Sequence, residues 1–474
     1  MKRKINLVIP IVLLIAAVLL TIELTLPNIA NPVFSTLGWI LTVWVYAQSF
    51  YFIFFSLFGY APAKRNYKII PDQTKFLIMV PAHNEQAVIE TTIENLNAIN
   101  YDKNLYDIYI VCDNCSDDTI KIVAATGTKY IDTSLGEFER KSVGKPGGLQ
   151  YAIDKLESEG KFSTYDLTVI LDADNLVDRN FLQELNSQYI GKDHPEAIQA
   201  YLDSKNVDTF LALGYAQSYW TMNRFFQLAK YRLHLPNSIG GTGYAVQNKW
   251  LQNNGSFVSE SLTEDLEMEI RIVESGGRVL WNHFTRIYDE KPVKLKASLV
   301  QRTRWSKGHW YVAFHNFGRL WKLFLPSFNW KYMDQLSYLF SMRQNFLFIY
   351  LFIAAIINLA RGIIQAQPIS MLIGYVFQPI SSSIVPSTTL NLIILLYGFI
   401  PYIAGYLMDS RRSANPFAVL KSVAAIIWFS ITYVISQIAG FFTFQNQSVW
   451  SHTQHSINTI SKRKKADAAD IPEP

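Results

Sequence analysis

Two acidic segments in the middle of the chain carry residue types suited to chemistry on a diphosphate. Asp172-Ala173-Asp174 places carboxylates on alternate residues, so both can hold one divalent cation against phosphate oxygens. Thr263-Glu264-Asp265 supplies a separate carboxylate that can accept a proton. Taken alone, each segment is equally compatible with a turn aspartate or with an acidic helix N-terminus.

A third segment, Gln301-Arg302-Thr303-Arg304-Trp305, combines two guanidinium groups with an indole. Arginine forks suit phosphate oxygens, and an indole can stack on a sugar ring. The alternative is that these residues serve the membrane, because arginine also binds lipid phosphates and tryptophan anchors at lipid interfaces.

Polar and glycine-rich loops accompany these segments. The loop 113–118 begins with Asp113 and can take the hydrogen bonds of a uracil and a ribose, or it is simply a turn. Gly144-Lys145-Pro146-Gly147-Gly148 precedes a helical stretch, so its backbone amides and Lys145 can approach phosphate. Gly240-Gly241-Thr242-Gly243 similarly lets a donor sugar approach the backbone, or forms only a turn.

The elements between these loops predict how they are positioned. Apolar runs at 76–80, 107–112 and 167–171 alternate with helical patterns and predict a mostly parallel sheet. Ligands gather at the carboxyl ends of such strands, where Asp113 and Asp172 stand. Ser261 and Glu264 have the spacing of a capping box, which would place Asp265 in the first turn of a helix that ends at Gly276-Gly277.

The composition indicates a mixed membrane and globular protein. Half of the 474 residues are hydrophobic, 17% are charged, and the net charge is +5. Basic residues cluster beside apolar runs, which is typical of membrane orientation and not of nucleic-acid binding. Two cysteines, Cys112 and Cys115, lack the further ligands of a metal site, so we interpret them as reduced cytosolic thiols.

Several apolar runs are long enough to cross a bilayer. They lie at about 5–26, 37–60, 339–360, 389–408 and 418–440. A further stretch at 369–385 is either a fourth late span or a re-entrant segment, and the positive-inside tendency favours an even late count with a cytosolic C-terminus. Aromatic residues after Trp305 predict an interfacial helix, with a helix packed on the globular domain as the alternative.

These patterns divide the chain into five parts. Residues 1–60 hold two transmembrane helices, 61–305 a cytosolic domain, 306–335 interfacial amphipathic helices, 336–445 a bundle of three or four spans, and 446–474 a cytosolic tail.

The order of the motifs resembles the inverting, processive family-two glycosyltransferases, which include cellulose, chitin, hyaluronan and poly-N-acetylglucosamine synthases. The resemblance covers about 75–310 and rests on Asp113, Asp172-Ala173-Asp174, Thr263-Glu264-Asp265 and Gln301-Arg302-Thr303-Arg304-Trp305. It implies an α/β glycosyltransferase A fold, with a mostly parallel mixed sheet, in the cytosol and flanked by transmembrane and interfacial helices. Trp450-Ser451-His452-Thr453 is similar to the family's gating segment.

The resemblance also implies a role for each motif residue. Asp113 would contact the nucleotide, Lys145 the phosphates, and Asp172 and Asp174 the diphosphate with its Mg²⁺ or Mn²⁺. Asp265 would be the catalytic base and Glu264 would support the acceptor. The last motif would brace the diphosphate through its polar residues and stack on the acceptor sugar through its indole; these residues are Gln301, Arg302, Arg304 and Trp305.

The expected protein is therefore a multi-pass plasma-membrane hexosyltransferase with a cytoplasmic catalytic domain. It would extend a β-linked polysaccharide from a UDP-sugar, with glucose and N-acetylglucosamine as the first sugars to test, and extrude the product. Its partners would be the donor, a glycan or lipid-linked acceptor, membrane lipid and any accessory export subunits, with no nucleic acid. Two alternatives are transfer of a single sugar to a lipid-linked acceptor and a catalytically idle membrane scaffold or transporter.

Overall fold

The structure, a computed structural model, describes residues 27–142, 144–342 and 388–447, with isolated positions between 343 and 387. Its centre is an eight-stranded sheet in the order β3-β2-β1-β4-β7-β6-β8-β5. The strands are β1 (Phe76–Ala82), β2 (Tyr106–Cys112), β3 (Lys129–Asp132), β4 (Leu167–Ile170), β5 (Leu176–Val177), β6 (Ala197–Ser204), β7 (Tyr244–Gln247) and β8 (Val279–Asp289).

The sheet is mixed. Strands β3, β2, β1 and β4 run parallel, as does the pair β6 and β8. Strand β7 is antiparallel to both neighbours, and β5 is antiparallel to β8. A register irregularity at Ala200/Tyr201 interrupts the ladder between β6 and β8. Because β1, β2 and β4 are parallel, the loops that follow β2 and β4 emerge at one edge, which places Asp113 and Asp172 on the same side.

Helices cover both faces of the sheet. The helices of the described residues are α1 (Pro27–Leu57), α2 (Ile89–Asn97), α3 (Thr119–Ala125), α4 (Lys145–Ser158), α5 (Phe181–Gly191), α6 (Phe210–Met222), α7 (Ala229–Arg232), α8 (Asn248–Asn253), α9 (Glu264–Glu274), α10 (Leu295–Ser327), α11 (Trp330–Leu339), α12 (Thr388–Asp409) and α13 (Pro416–Thr443). One core packs α2, α3 and α5 on the sheet, and a second packs α4, α8 and α9 on the opposite face. Each fully buried Leu or Ile contributes roughly 1.5–3 kcal/mol of burial free energy, which holds the site's scaffold rigid.

Most sequence predictions for this sheet are confirmed, with two corrections. The run at 167–171 was counted as the third strand but forms the fourth, β4. The third strand is β3, which was missed because it is short, half-exposed and lacks a strong apolar pattern. The capping box is wrong: α9 begins at Glu264 with Thr263 as N-cap, which makes no side-chain cap bond. The Ser261 hydroxyl donates instead to the Thr263 carbonyl. The placement of Asp265 in the first helical turn is nevertheless confirmed.

Helix α10 continues through the boundary predicted at 305/306. It packs on α9, α11 and α13, and Trp310 is completely buried there. Phe314 and Phe317 are 41% and 45% exposed, so one aromatic edge of the helix remains open. The buried face of α10 agrees with the alternative interpretation, a helix packed on the globular domain. Contact between its open aromatic edge and lipid stays a prediction.

Two helices in the described part of the chain are long and apolar enough to cross a membrane, Ser35–Leu57 within α1 and Pro416–Thr443. Only 17% and 28% of their most apolar windows are buried, as expected for helices that present apolar side chains outward. Helix α12 lies beside α6 and α13. The predicted span at 5–26, the stretch at 369–385 apart from Met371, and the segment around Trp450 lie outside the described residues.

Candidate active site

The two carboxylates after β4 face different partners at one edge of the sheet. Asp172 is half-exposed and accepts a hydrogen bond from Lys145 Nζ at 2.5 Å. Asp174 is buried, and its Oδ2 accepts the Glu290 backbone N–H at 2.8 Å. Its other oxygen accepts the Asn175 side-chain amide at 3.1 Å. The pair therefore combines one fixed carboxylate with one that is open to a ligand.

The loop that carries these carboxylates is held by side chains from its own turn and from the glycine-rich turn before β7. The Asp172 backbone N–H is bonded to Thr242 Oγ1 at 3.0 Å and to Asn175 Oδ1 at 3.1 Å. The Thr242 hydroxyl also donates to Asn175. Such fixed backbone geometry is what a metal site requires of its ligands.

Lys145 connects this carboxylate pair to the glycine-rich turn. It begins α4, directly after Gly144 in a left-handed conformation (φ 72°), and its Nζ donates to the Gly241 carbonyl at 2.6 Å. Burial disfavours the charged ammonium, but Asp172, Glu264 and Asp265 outweigh burial and raise the pKa of Lys145. The ammonium is therefore charged, and it lies where a leaving diphosphate would need a counter-charge.

Asp265 lies on the other side of the same glycine. A Cβ atom built on Gly241, whose φ is +79°, would lie 3.0 Å from Asp265 Oδ2. Burial, reinforced by the neighbouring Glu264 carboxylate, raises the pKa of Asp265 to about 7, while the Leu266 N–H and the charges of Lys145 and Arg304 oppose the rise. A carboxylate with this pKa exchanges a proton near neutral pH, which suits a general base.

A second group of polar contacts is built around Asp113. This buried carboxylate accepts hydrogen bonds from both terminal nitrogens of Arg140, one at 3.2 Å, and from the Thr133 hydroxyl at 2.9 Å. A cavity of about 450 Å³ opens beside it. Its lining residues are Asn114, Arg140, Lys141, Ser142 and Gly144.

Among the motif residues of helix α10, Arg304 is placed near Asp265, while Gln301 and Trp305 contact Tyr215 of α6. The Tyr215 hydroxyl donates to Gln301 Oε1 at 3.1 Å, and the Trp305 ring stands edge-on to Tyr215 at 6.3 Å. Arg304 lies close enough to Asp265 to lower its pKa. Gly308 lets α10 approach closely, because a Cβ there would overlap Thr263. The Gln-Arg-x-Arg-Trp and Thr-Glu-Asp segments therefore belong to one packed unit.

Arg302 is placed differently from the other motif residues. Its side chain is completely buried between α10 and α13, where it donates to the Phe429 carbonyl at 3.0 Å and to Thr432 Oγ1 at 3.1 Å. The guanidinium also lies 4.6 Å from the centre of the Phe429 ring. All of these contacts join helices, so in this structure Arg302 does not brace a diphosphate.

Some residues of the site carried no recognisable sequence signal. The Glu290 amide acts on the Asp172–Asp174 loop from a distant part of the chain, and only the fold brings it there. Thr242 lies in the glycine-rich turn that the sequence indicated, but its bond to the Asp172 N–H was not predicted. Arg140 is one of several basic residues in an irregular stretch, although its position five residues before Lys145 marks it as close to the phosphate loop.

The donor set fits a small divalent cation that also takes phosphate oxygens. Asp172 and Asp174 offer carboxylate oxygens, and Mg²⁺ commonly uses one or two carboxylates together with substrate phosphates. Within the described residues, no group of three or more His, Cys, Asp or Glu side chains forms a complete cage. Such a cation would therefore depend on the diphosphate for its remaining ligands.

The chain is similar to two curated enzymes. It is 24% identical over 233 residues to a β-monoglucosyldiacylglycerol synthase of Trichormus variabilis, covering 49% of this chain and 48% of that protein. It is 22% identical over 288 residues to a poly-β-1,6-N-acetyl-D-glucosamine synthase of Staphylococcus aureus, covering 60% of this chain and 65% of that one. The matches thus span between about half and two thirds of these relatives.

Structural comparison supports the fold. A mannosyltransferase from Pyrobaculum calidifontis, solved in complex with GDP-mannose and Mn²⁺, superposes with a TM-score of 0.52 at 15% identity. The match covers 83% of this chain and 99% of that one, and it confirms a glycosyltransferase A fold around the curled mixed sheet.

The sequence profile described as glycosyltransferase-like family 2 matches residues 71–308, which include Asp113, Asp172, Asp174, Asp265 and the Gln301–Trp305 segment. The chain therefore belongs to glycosyltransferase family 2.

Proposed function

We propose that this protein transfers a sugar from a UDP-sugar to an acceptor hydroxyl with inversion at the anomeric carbon. One observation carries the proposal: Gly241 joins the two halves of the reaction. Its carbonyl accepts a hydrogen bond from Lys145 Nζ, and the same ammonium pairs with Asp172. Asp265 Oδ2 lies beside the position that a Cβ atom of Gly241 would occupy. The phosphate side and the proton-accepting side thus meet at one residue, where an anomeric carbon can lie between them.

Asp172 and Asp174 would hold Mn²⁺ or Mg²⁺ against the donor diphosphate. The carboxylate pair and the Mn²⁺ in the Pyrobaculum mannosyltransferase support this assignment. When bound, the cation neutralises charge that develops on the leaving diphosphate. Asp113, with Arg140 and the adjoining cavity, would bind the nucleoside.

Asp265 would remove the acceptor proton as the acceptor oxygen attacks. The new bond joins that oxygen to the anomeric carbon, the bond from this carbon to the diphosphate oxygen breaks, and the diphosphate leaves on the opposite face. Lys145 and Arg304 place positive charge beside the site, which stabilises the departing anion. Glu264, Gln301 and Trp305 would position the acceptor.

We assign a growing β-linked polysaccharide as the acceptor. The similarity to the staphylococcal poly-N-acetylglucosamine synthase supports it, as do the long apolar helices α1 and α13. Apolar side chains that point outward, such as Trp39 and Ile431, are 46% and 59% exposed, which suits contact with lipid. The proposed protein is a multi-pass plasma-membrane enzyme with a cytoplasmic catalytic domain, and it would pass the chain outward, with or without accessory export subunits.

A second candidate is transfer of one sugar to a lipid-linked acceptor. Two observations favour it. One relative is a β-monoglucosyldiacylglycerol synthase. In addition, α10 and α13 are tightly joined, because Gly440 lies against Ser306 and Arg302 bonds to the α13 backbone. A polymer could pass between these two helices only if that contact opened.

Product length distinguishes the two candidates. The full chain, purified in lipid nanodiscs with Mn²⁺, is incubated with radiolabelled UDP-glucose, UDP-N-acetylglucosamine, UDP-galactose and GDP-mannose. A ladder of products from one UDP-sugar supports polymer synthesis, and a single labelled lipid supports the second candidate. The proposed reaction is contradicted if Asp265→Asn transfers sugar as fast as wild type does. It is also contradicted if wild type transfers no sugar from any UDP-sugar.

A further inference from the structure

The end of β8 reaches the carboxylate turn after β4 through its backbone. Asp174 accepts hydrogen bonds from its neighbour Asn175 at 3.1 Å and from the Glu290 N–H at 2.8 Å. Strand pairing brings Glu290 there, because β5 and β8 are antiparallel with Leu176 opposite Tyr288. Two residues beyond that pair, Glu290 comes opposite Asp174. The orientation of this carboxylate therefore depends on where the end of β8 is held.

An irregularity in β8 sets which of its residues arrives at this point. The ladder with β6 pairs Ala200 with Asn282 but Tyr201 with Arg286, so residues 283–285 have no counterpart in β6. Bulges re-aim the end of a strand and are frequent beside active sites. The irregularity therefore determines which backbone N–H of β8 comes to the carboxylate turn.

Asn206 holds the chain directly after Glu290. Its side-chain Oδ1 accepts the Lys291 N–H at 2.7 Å, and its Nδ2 donates to the Lys291 carbonyl at 2.9 Å. An amide side chain carries a donor and an acceptor side by side, so it can bind both backbone groups of one residue. Asn206 thereby continues the pairing of β6 with β8 beyond Ser204 and Asp289.

Asn206 is itself fixed in place. It is buried, and its carbonyl accepts the Ser204 hydroxyl at 2.6 Å. The residue between them, Lys205, donates through its N–H to the Asp289 carbonyl at 2.8 Å. The end of β6 therefore binds the β8 backbone on both sides of the Glu290 N–H.

The Lys291 side chain ties the same segment to α6. Lys291 is buried, its ammonium donates to Asp289 Oδ2 at 2.7 Å, and it lies 3.5 Å from the centre of the Tyr219 ring. These contacts restrict the segment, so the backbone groups of Lys291 stay where Asn206 binds them.

We propose that Asn206 is a positioning residue for the divalent cation, because by holding Lys291 it aims the Glu290 N–H at Asp174. The hold on the Glu290 amide stands on the hydrogen bonds alone. Its consequence for the cation rests on the proposed function, because it requires that Asp174 binds the metal. Mutation of groups that orient metal ligands typically costs roughly 10- to 100-fold in metal affinity.

The test compares Asn206→Ala with wild type, using the full chain in lipid nanodiscs. Hydrogen exchange of peptides that contain Glu290, measured without any ligand, reports whether its N–H stays protected. The electron paramagnetic resonance signal of free Mn²⁺, titrated at fixed UDP with UDP alone as the blank, reports metal affinity. We expect faster exchange at Glu290 and an Mn²⁺ affinity that is lower by about tenfold or more.

Asn186→Ala is the matched control. Asn186 is completely buried, and its amide likewise binds backbone, donating to the Ile70 carbonyl at 3.1 Å and accepting the Thr74 N–H at 3.1 Å. Those contacts lie at the amino end of β1, opposite to the edge of the sheet that carries the carboxylates. The control should lose thermal stability and still bind Mn²⁺ as wild type does.

Asn206→Asp provides the decision if Asn206→Ala does not fold. The aspartate keeps the shape of the side chain and an acceptor for the Lys291 N–H, but it has no donor for the Lys291 carbonyl. It should bind Mn²⁺ more weakly than wild type and more tightly than Asn206→Ala.

Three results overturn the proposal: unchanged exchange at Glu290, wild-type Mn²⁺ affinity in the Asn206 variants, or an equal loss of Mn²⁺ affinity in Asn186→Ala. If wild type with UDP binds no Mn²⁺, the proposed function fails at its metal step. Hydrogen exchange at Glu290 then still decides whether Asn206 holds this amide.

Discussion

Lys145 and Asp172 form an ion pair of 2.5 Å at the edge of the sheet where the donor diphosphate is proposed to bind. The lysine begins a helix and the aspartate follows a strand, and 27 residues of sequence separate them. The same ammonium also donates to Gly241, the glycine beside Asp265. A single side chain therefore links the start of α4, the carboxylate pair after β4 and the turn that faces Asp265.

Lys145→Met should weaken use of the donor. Removing a charged hydrogen-bond partner costs about 1.5–3 kcal/mol, so kcat/KM for the UDP-sugar is expected to fall roughly 10- to 100-fold. Lys155→Met is the control, since Lys155 lies on the same helix but pairs with Glu137 at the surface. Initial rates of UDP release measure both variants. Equal rates for the two would show that Lys145 has no special role.

Asp265→Asn should abolish most of the turnover while leaving UDP binding intact. General base catalysis contributes roughly 10²–10⁴-fold, and the amide cannot accept the acceptor proton. Glu274→Gln, at the other end of the same helix, tests for a general effect of removing a carboxylate. Single-turnover rates and UDP titrations separate chemistry from binding. A loss of UDP binding equal to the loss of rate would place Asp265 in donor recognition instead.

The pH dependence of kcat/KM should show an acid limb near pH 7. Asp265 must be ionised to act as a base, and burial with the Glu264 charge raises its pKa to about 7. Glu264→Gln removes the like charge, so the pKa of Asp265 falls and the limb moves to lower pH. Arg304→Ala removes an opposing charge, so that pKa rises and the limb moves to higher pH. Shifts in the same direction for both variants would contradict this electrostatic account.

The two arginines of the α10 motif should behave differently. Arg302→Met removes the buried hydrogen bonds to the Phe429 carbonyl and to Thr432 Oγ1, and it is expected to lower the free energy of unfolding by about 1–3 kcal/mol. Arg304 lies beside Asp265, so Arg304→Met should reduce turnover with little change in thermal stability. Thermal unfolding in nanodiscs and UDP-release rates measure the two properties. An unchanged melting temperature in Arg302→Met would indicate that its helix contacts carry little stability.

The sequence alone determined the scaffold and most of the candidate site. Apolar runs ending at Asp113 and Asp172 were sufficient to predict parallel strands with polar loops at one edge, because strand period and strand-end chemistry are local properties. Motif order likewise indicated the family, which the match over 71–308 shows. The position of Asp265 in the first turn of α9 followed from the helical pattern, although the cap itself was wrong.

Only the tertiary structure decided which of these residues lie next to one another and which do not. Arg302 and Arg304 are indistinguishable as sequence, yet one bonds to α13 and the other lies beside Asp265, because successive positions of a helix point in different directions and only packing chooses the partner of each. The Glu290 amide and the Gly241 carbonyl act through backbone atoms, which every residue has, so no residue type could reveal them.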